Sequence, residues 1–241
     1  MPEKVTKVFI TPDQYREDSF HLGQKVLQSG FKPKKIVALW RGGAPAGLYL
    51  HEYFEYQLGR ENRPDYLPIC VTAYDAGIDN RKKQVEVTGI ELIIKNLSPD
   101  DDLLIVDDVF DTGNSIEAVM KALEEHSQPR YMRMITGVAR KVINGLEYVE
   151  QRCRLPRLSK YVTDALEQAR KRTSRLPRNI RIATLYHKPD KRDENIQRTP
   201  DFRVRTYNAN VWIVYPHEIN DSTPEEIREH MGPEIARLLR R

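Results

Sequence analysis

The sequence is poor in cysteine, in long apolar runs and in repetition. Its two cysteines, Cys70 and Cys153, show no metal-like spacing and are too few for a disulfide framework. Cys70 lies in an apolar run and is expected to be buried as a small hydrophobe, while Cys153 sits among arginines. Nothing supports a bond between them, so a reduced, intracellular protein is expected. No stretch approaches the ~20 consecutive apolar residues that cross a bilayer, so no membrane partner is expected. The opening MPEKVTKVFITPDQ has no apolar core of a secretory signal, which points to a cytoplasmic location. Internal repeats are missing, which excludes solenoids and propellers.

What is there is a core-forming composition with an uneven charge. Apolar residues make up 39% of 241 residues and charged ones 31%, against about 25% charged in ordinary globular chains. The net charge is +4, but fourteen Lys/Arg against four Asp/Glu between Gln128 and Arg181 give a local +10, leaving −6 elsewhere.

Thr11, Pro12 and Gln14 have the spacing that starts a helix, and Gly30 ends it. Ile36–Trp40, Leu67–Ala73, Leu103–Val106 and Ile180–Tyr186 are apolar runs of strand length, with Val211–Tyr215 a shorter one and Val85–Val87 another short strand. Helical spacing follows at Ala44–Leu58, Gly89–Asn96 and Asn114–Glu125. The alternation predicts an α/β fold with a mainly parallel, twisted sheet flanked by helices. One domain, 1–241, is expected. It carries a basic helical insertion at 127–177, a strand plus hood region at 178–220, and a C-terminal helix at 222–241 that starts at the capping box Thr223–Glu226.

The chemistry is concentrated in LLIVDDVFDTGNS, Leu103 to Ser115. A buried strand delivers Asp107 and Asp108 to the carboxyl edge of the sheet, where ligands bind in open α/β folds. Asp107–Gly113 is read as a turn. Asp111, Thr112, Gly113, Asn114 and Ser115 lead into a helix, and the amides of such a turn form a phosphate site. Acids beside a phosphate cradle make sense for a sugar phosphate, whose hydroxyls donate to the carboxylates. Arg41-Gly42-Gly43 breaks another strand, and its amides and guanidinium suit a second anion. Tyr74–Gln84 is a polar loop longer than the median connection. Lys188 follows the strand Ile180–Tyr186. Trp212 offers a flat face, Ile213 a backbone edge and Glu218 a carboxylate.

The Leu103–Ser115 string resembles the binding motif for phosphoribosyl pyrophosphate (PRPP) of the type I phosphoribosyltransferases, and the similarity covers roughly 5–126 and 178–220. The resemblance implies that fold, with a small hood. It implies that Asp107 and Asp108 hold the ribose hydroxyls, and that residues Asp111–Ser115 hold the 5-phosphate. Arg41, Gly42 and Gly43 form the pyrophosphate loop, and Tyr74 opens a catalytic lid. Arg41-Gly42-Gly43 and the Trp212–Glu218 stretch are similar to the 6-oxopurine branch. There Asp111 is the general acid/base at the purine N7, Lys188 meets O6, and Trp212, Ile213 and Glu218 contact the base. His217 replaces a tryptophan of that pattern and receives no role. Mg²⁺ is the implied cofactor, with Asp107, Asp108 and Glu218 as minor or water-mediated partners. The implied activity is purine salvage from PRPP and hypoxanthine, guanine or xanthine, by a homo-oligomer. Two alternatives stand beside it: transfer to another base, and a non-catalytic nucleotide- or RNA-binding regulator on the same fold. Nucleic acid is not an expected partner, because the basic segment lacks interleaved aromatics.

Overall fold

The computed structural model describes residues 5–74, 84–128, 130–153, 158–220 and 222–239. Six strands form the main sheet in the order β4-β3-β2-β5-β6-β7: β2 (Lys35–Trp40), β3 (Asp65–Tyr74), β4 (Gln84–Thr88), β5 (Asp102–Phe110), β6 (Asn179–His187) and β7 (Phe202–Thr206). All neighbours run parallel except β3 and the edge strand β4. The helices are α1 (Pro12–Gln28), α2 (Gly43–Leu58), α3 (Ile90–Lys95), α4 (Asn114–His126), α5 (Arg130–Cys153), α6 (Leu158–Thr173), α7 (Pro224–His230) and α8 (Pro233–Leu238).

The apolar runs of β2 and β5 are continuous because both faces of the sheet are covered. Ile36, Ala38, Leu104 and Val106 point into one core with Leu22 and Leu50 of α1 and α2. Val37, Leu39, Leu103 and Ile105 point into the other, with Ile93 of α3 and Ile116, Val119 and Leu123 of α4. This alternation is the period of two expected of any strand, hidden in the sequence because neither face is polar.

A second, two-stranded parallel sheet pairs β1 (Thr6–Phe9) with β8 (Val211–Val214), Lys7 opposite Trp212. The C-terminal helices lie against it: Lys7 bonds Glu226 at 2.9 Å and Phe9 stacks on His230 at 3.8 Å. The basic segment expected at 127–177 holds an antiparallel pair, α5 and α6. It leaves and rejoins the body at one place, where the hydroxyls of Ser127 and Ser174 are 2.9 Å apart and Arg175 N–H donates to Ser127 O.

Four expectations are corrected. The run Val211–Tyr215 does not extend the main sheet but pairs with β1, a strand absent from the sequence reading. The acidic segment is not a turn from Asp107: β5 continues to Phe110 because Asp107, Val109 and Phe110 still pair with β6. The C-terminal helix is two helices, interrupted at Gly232, whose φ of +98° a helix cannot accommodate, and restarted by Pro233. Cys70 is half-buried rather than buried, and its thiol is free.

Candidate active site

Strand order places the site. From β2 the chain moves outward to β3, and later returns to the other side of β2 as β5. The connections after β2 and β5 therefore leave to opposite faces, α2 to one and α4 to the other. Such a switch point opens a crevice at the carboxyl ends of the strands. Arg41-Gly42-Gly43 forms one lip, and Asp107 to Ser115 the other.

The two lips touch, and glycine is what lets them. A Cβ on Gly42 would lie 2.2 Å from the Asp108 Oδ2, and one on Gly43 would lie 2.5 Å from the carbonyl of Val106. The Trp40–Arg41 peptide is cis. Tyr15 of α1 donates its hydroxyl to the Gly42 carbonyl at 2.9 Å, fixing the turn from outside. Arg41 itself is exposed at the mouth.

Each acid at the end of β5 accepts from the next backbone amide, Asp107 from Asp108 N–H at 3.0 Å and Asp108 from Val109 N–H at 2.8 Å. Burial pushes the Asp107 carboxyl well above the usual carboxylate range, and the charge of Asp108 adds to it. Burial also raises Asp108, but less, because Asp107, the Val109 amide and the Tyr215 hydroxyl all favour its charged form. That hydroxyl is buried and has no hydrogen bond of ordinary length.

Beyond the acids, Asp111, Thr112, Asn114 and Ser115 are half-buried around Gly113, which has a φ of +83°. A Cβ there would meet the ring of Phe110 and a methyl of Ile196 as well. The turn is tied at its base: Thr112 N–H donates to Asp111, and Asn114 N–H to the Thr112 hydroxyl. The amides that follow open α4, the geometry that receives a phosphate. The segment after β6 braces it, with Lys188 N–H on Phe110 O and Asp193 N–H on Thr112 O.

Lys188 is 5% exposed. Burial lowers its pKa, Lys191 adds to that, and Asp111 and Asp108 oppose it. Both acids are therefore within electrostatic reach of the ammonium group. The structure thus brings together Arg41, Gly42, Gly43, Asp107, Asp108, Asp111–Ser115 and Lys188. Trp212 and Ile213 stand on the second sheet. Ile213 is buried in the core that holds Tyr186 and Tyr215, while Trp212 faces the other way and is 43% exposed. Glu218 is half-buried just past them, its amide on Tyr215 O. The backbone of Tyr74 ends β3 opposite Gln84, and the loop between them lies outside the described residues. Among the described residues no group of three His, Cys, Asp or Glu is arranged to hold a metal.

Three residues without an expected role line the acid end of the crevice. Tyr15 meets Tyr215 and His217 edge-on, and His217 stacks on Tyr215 at 5.4 Å. Desolvation lowers the His217 pKa, Asp108 raises it and Arg41 lowers it, so the imidazole is within electrostatic reach of both lips. An aromatic at 217 was the available signal, since the resemblance has a tryptophan there.

A family model described as the phosphoribosyl transferase domain matches residues 13–142. Solved structures share the fold at low identity. A purine phosphoribosyltransferase from Pyrococcus horikoshii is 21% identical, with 90% of this chain and 97% of that one covered and a TM-score of 0.52. A Neisseria gonorrhoeae protein with bound ppGpp is 16% identical over 99% of each chain, with a TM-score of 0.58. The xanthine-guanine-hypoxanthine phosphoribosyltransferase of Helicobacter pylori is 16% identical, 89% and 95% covered, with a TM-score of 0.51. No curated protein matches the sequence. The family match spans more than half of the chain and contains both lips of the crevice, so this chain belongs to the phosphoribosyl transferase domain family, a family of transferases.

Proposed function

We propose that the protein transfers the 5-phosphoribosyl group of PRPP to a 6-oxopurine, giving a nucleoside monophosphate and pyrophosphate. The observation that carries this reading is Lys188, a buried ammonium group within electrostatic reach of Asp108 and Asp111 at the end of the phosphate turn. An ammonium only donates hydrogen bonds, so it accepts an oxo group at the base and rejects an amino group.

In this reading the amides of residues 113–115 and the hydroxyls of Thr112 and Ser115 take the 5-phosphate. Asp107 and Asp108 take the ribose hydroxyls. Arg41 and the Gly42 and Gly43 amides stabilise the departing pyrophosphate, where charge develops. Asp111 moves the proton at N7, a role worth about 10²–10⁴-fold, and Trp212, Ile213 and Glu218 hold the base. Tyr74 shields the reacting centre from water. Two buried carboxyls, neither of them ion-paired among the described residues, fit a Mg²⁺ that arrives on the substrate and keeps most of its ligands from phosphate and water. Glu218 offers a further, water-mediated contact. Bound Mg²⁺ supplies charge neutralisation to the pyrophosphate.

The test is nucleotide formation from PRPP, Mg²⁺ and each of hypoxanthine, guanine and xanthine. Product from at least one is expected, with Lys188→Ala raising the KM for the base more than that for PRPP. No nucleotide from any of the three sinks the reading. A second reading, binding of ppGpp at the same crevice, is favoured by the full-length match to the N. gonorrhoeae protein. It predicts that ppGpp competes with PRPP.

A further inference from the structure

The α5–α6 hairpin carries an apolar side that nothing in the described chain covers. The inner positions of α5 are Met132, Thr136, Ala139, Ile143 and Leu146, all buried or half-buried, and they recur every three or four residues. Glu150 continues the series and ties the helices, accepting from the Ser159 amide and hydroxyl at 2.7 Å. A second series is exposed: Ile135, Val138, Val142 and Val149, at 44–65%. Each of these directly precedes an inner residue, so the exposed stripe leads the inner one by one residue, about 100° around the helix. On α6, Leu158 and Tyr161 are exposed at 51% and 73%, and they too directly precede inner residues, Ser159 and Val162. A two-fold axis perpendicular to an antiparallel pair exchanges its helices. The same offset in both therefore puts the two stripes on one side of the hairpin.

The geometry points to a second copy of this chain on that side, the two hairpins meeting face to face as a four-helix bundle. Area is the first argument. Helices of 24 and 16 residues are about 36 and 24 Å long, and two abreast are about 20 Å wide. One face then offers about 600 Å², and a pair buries about 1,200 Å², where stable interfaces begin. Charge is the second. Lys141 and Arg152 stand two residues from inner positions, so they line the outer edge of α5, and by the same count Lys160, Asp164 and Glu167 lie toward the outer edge of α6, a mixed set with a net charge of −1. A two-fold axis running along the hairpin lays α5 over the partner's α6 and sets the basic edge beside the acidic one. A lipid surface would favour cations on both edges, and Asp164 opposes it. Gly145 interrupts the apolar stripe, and a Cβ there would meet nothing within 4 Å, leaving room for a partner side chain.

The mass of the full chain by sedimentation velocity tests this, independently of any activity. A two-fold assembly is expected, and Val142→Asp, at an exposed position, should weaken it at least about tenfold with an unchanged circular dichroism spectrum. Lys141→Glu should weaken it too, and adding Asp164→Lys should recover it. A monomer at every concentration overturns the proposal, as does an assembly indifferent to Val142→Asp. Failure of the second charge change to recover the first overturns the arrangement of α5 over α6. Val142-dependent binding of a monomer to vesicles of equal phosphatidylcholine and phosphatidylserine overturns it in favour of lipid.

Discussion

Two adjacent carboxyls in a space that water hardly reaches oppose each other's ionisation. Asp107 bears most of this, raised by burial first and by Asp108 second. An aspartate in the unfolded chain ionises near pH ~3.9, so on this account the unfolded state loses its proton before the folded state does. The pair's contribution to stability is full below that pH and falls as pH rises toward the elevated folded value. Asp107→Asn removes the slope. Its melting temperature should exceed that of the wild type at neutral pH, by about 2–4 °C per kcal/mol recovered, and the difference should close in acid. A difference constant across that range, read by calorimetry without ligand, would contradict the assignment. The same charge conflict that burdens the empty protein makes the site receptive to hydroxyl donors and to a cation.

Elements show which signals a sequence carries. The strands β2, β5 and β6 were legible because burial on both faces leaves unbroken apolar runs, and the DTG turn was legible because its residues are contiguous. The strand β7 was not. Its FRVRT alternates, Phe202 and Val204 half-buried against exposed Arg203 and Arg205, but five residues at a sheet edge give a short pattern. Tyr15, Tyr215 and His217 come from α1 and from the segment after β8, so only the folded chain gathers them. Caps were legible at the level of single bonds. Thr11 accepts from Gln14 N–H, and Thr223 and Glu226 exchange both bonds of the capping box. Glu226 also meets Lys7 of β1, so one side chain starts α7 and docks it on the second sheet. Thr223→Ala should lower stability by about 1 kcal/mol, seen as a drop in urea midpoint, and should leave the KM for PRPP unchanged. A changed KM would mean that α7 reaches the crevice.

Across the whole molecule, α1 links the far edge of the sheet to the mouth of the site. Asp18, 1% exposed, takes three bonds from Arg205 of β7, two of them from Nε, and one from the Tyr186 hydroxyl, while Tyr15, three residues earlier, holds Gly42. Arg205 is half open to solvent, so the full value of a buried pair does not apply. Arg205→Ala should still cost about 2–3 kcal/mol, because it strands a buried carboxylate, and Asp18→Asn added to it should restore part of the loss. Urea melts of the three variants measure this, and additive effects would refute the coupling. The strands of the main sheet lie outside the α5–α6 hairpin. No helix among the described residues is long and apolar enough to cross a membrane, and the longest of them, α5, belongs to the hairpin that starts and ends where Ser127 meets Ser174. Chain that departs and returns at a single point behaves as a cassette. It can lengthen, shorten or be exchanged while the two strands on either side of it keep their register, so the assembly proposed for the hairpin and the chemistry of the crevice are free to diverge separately.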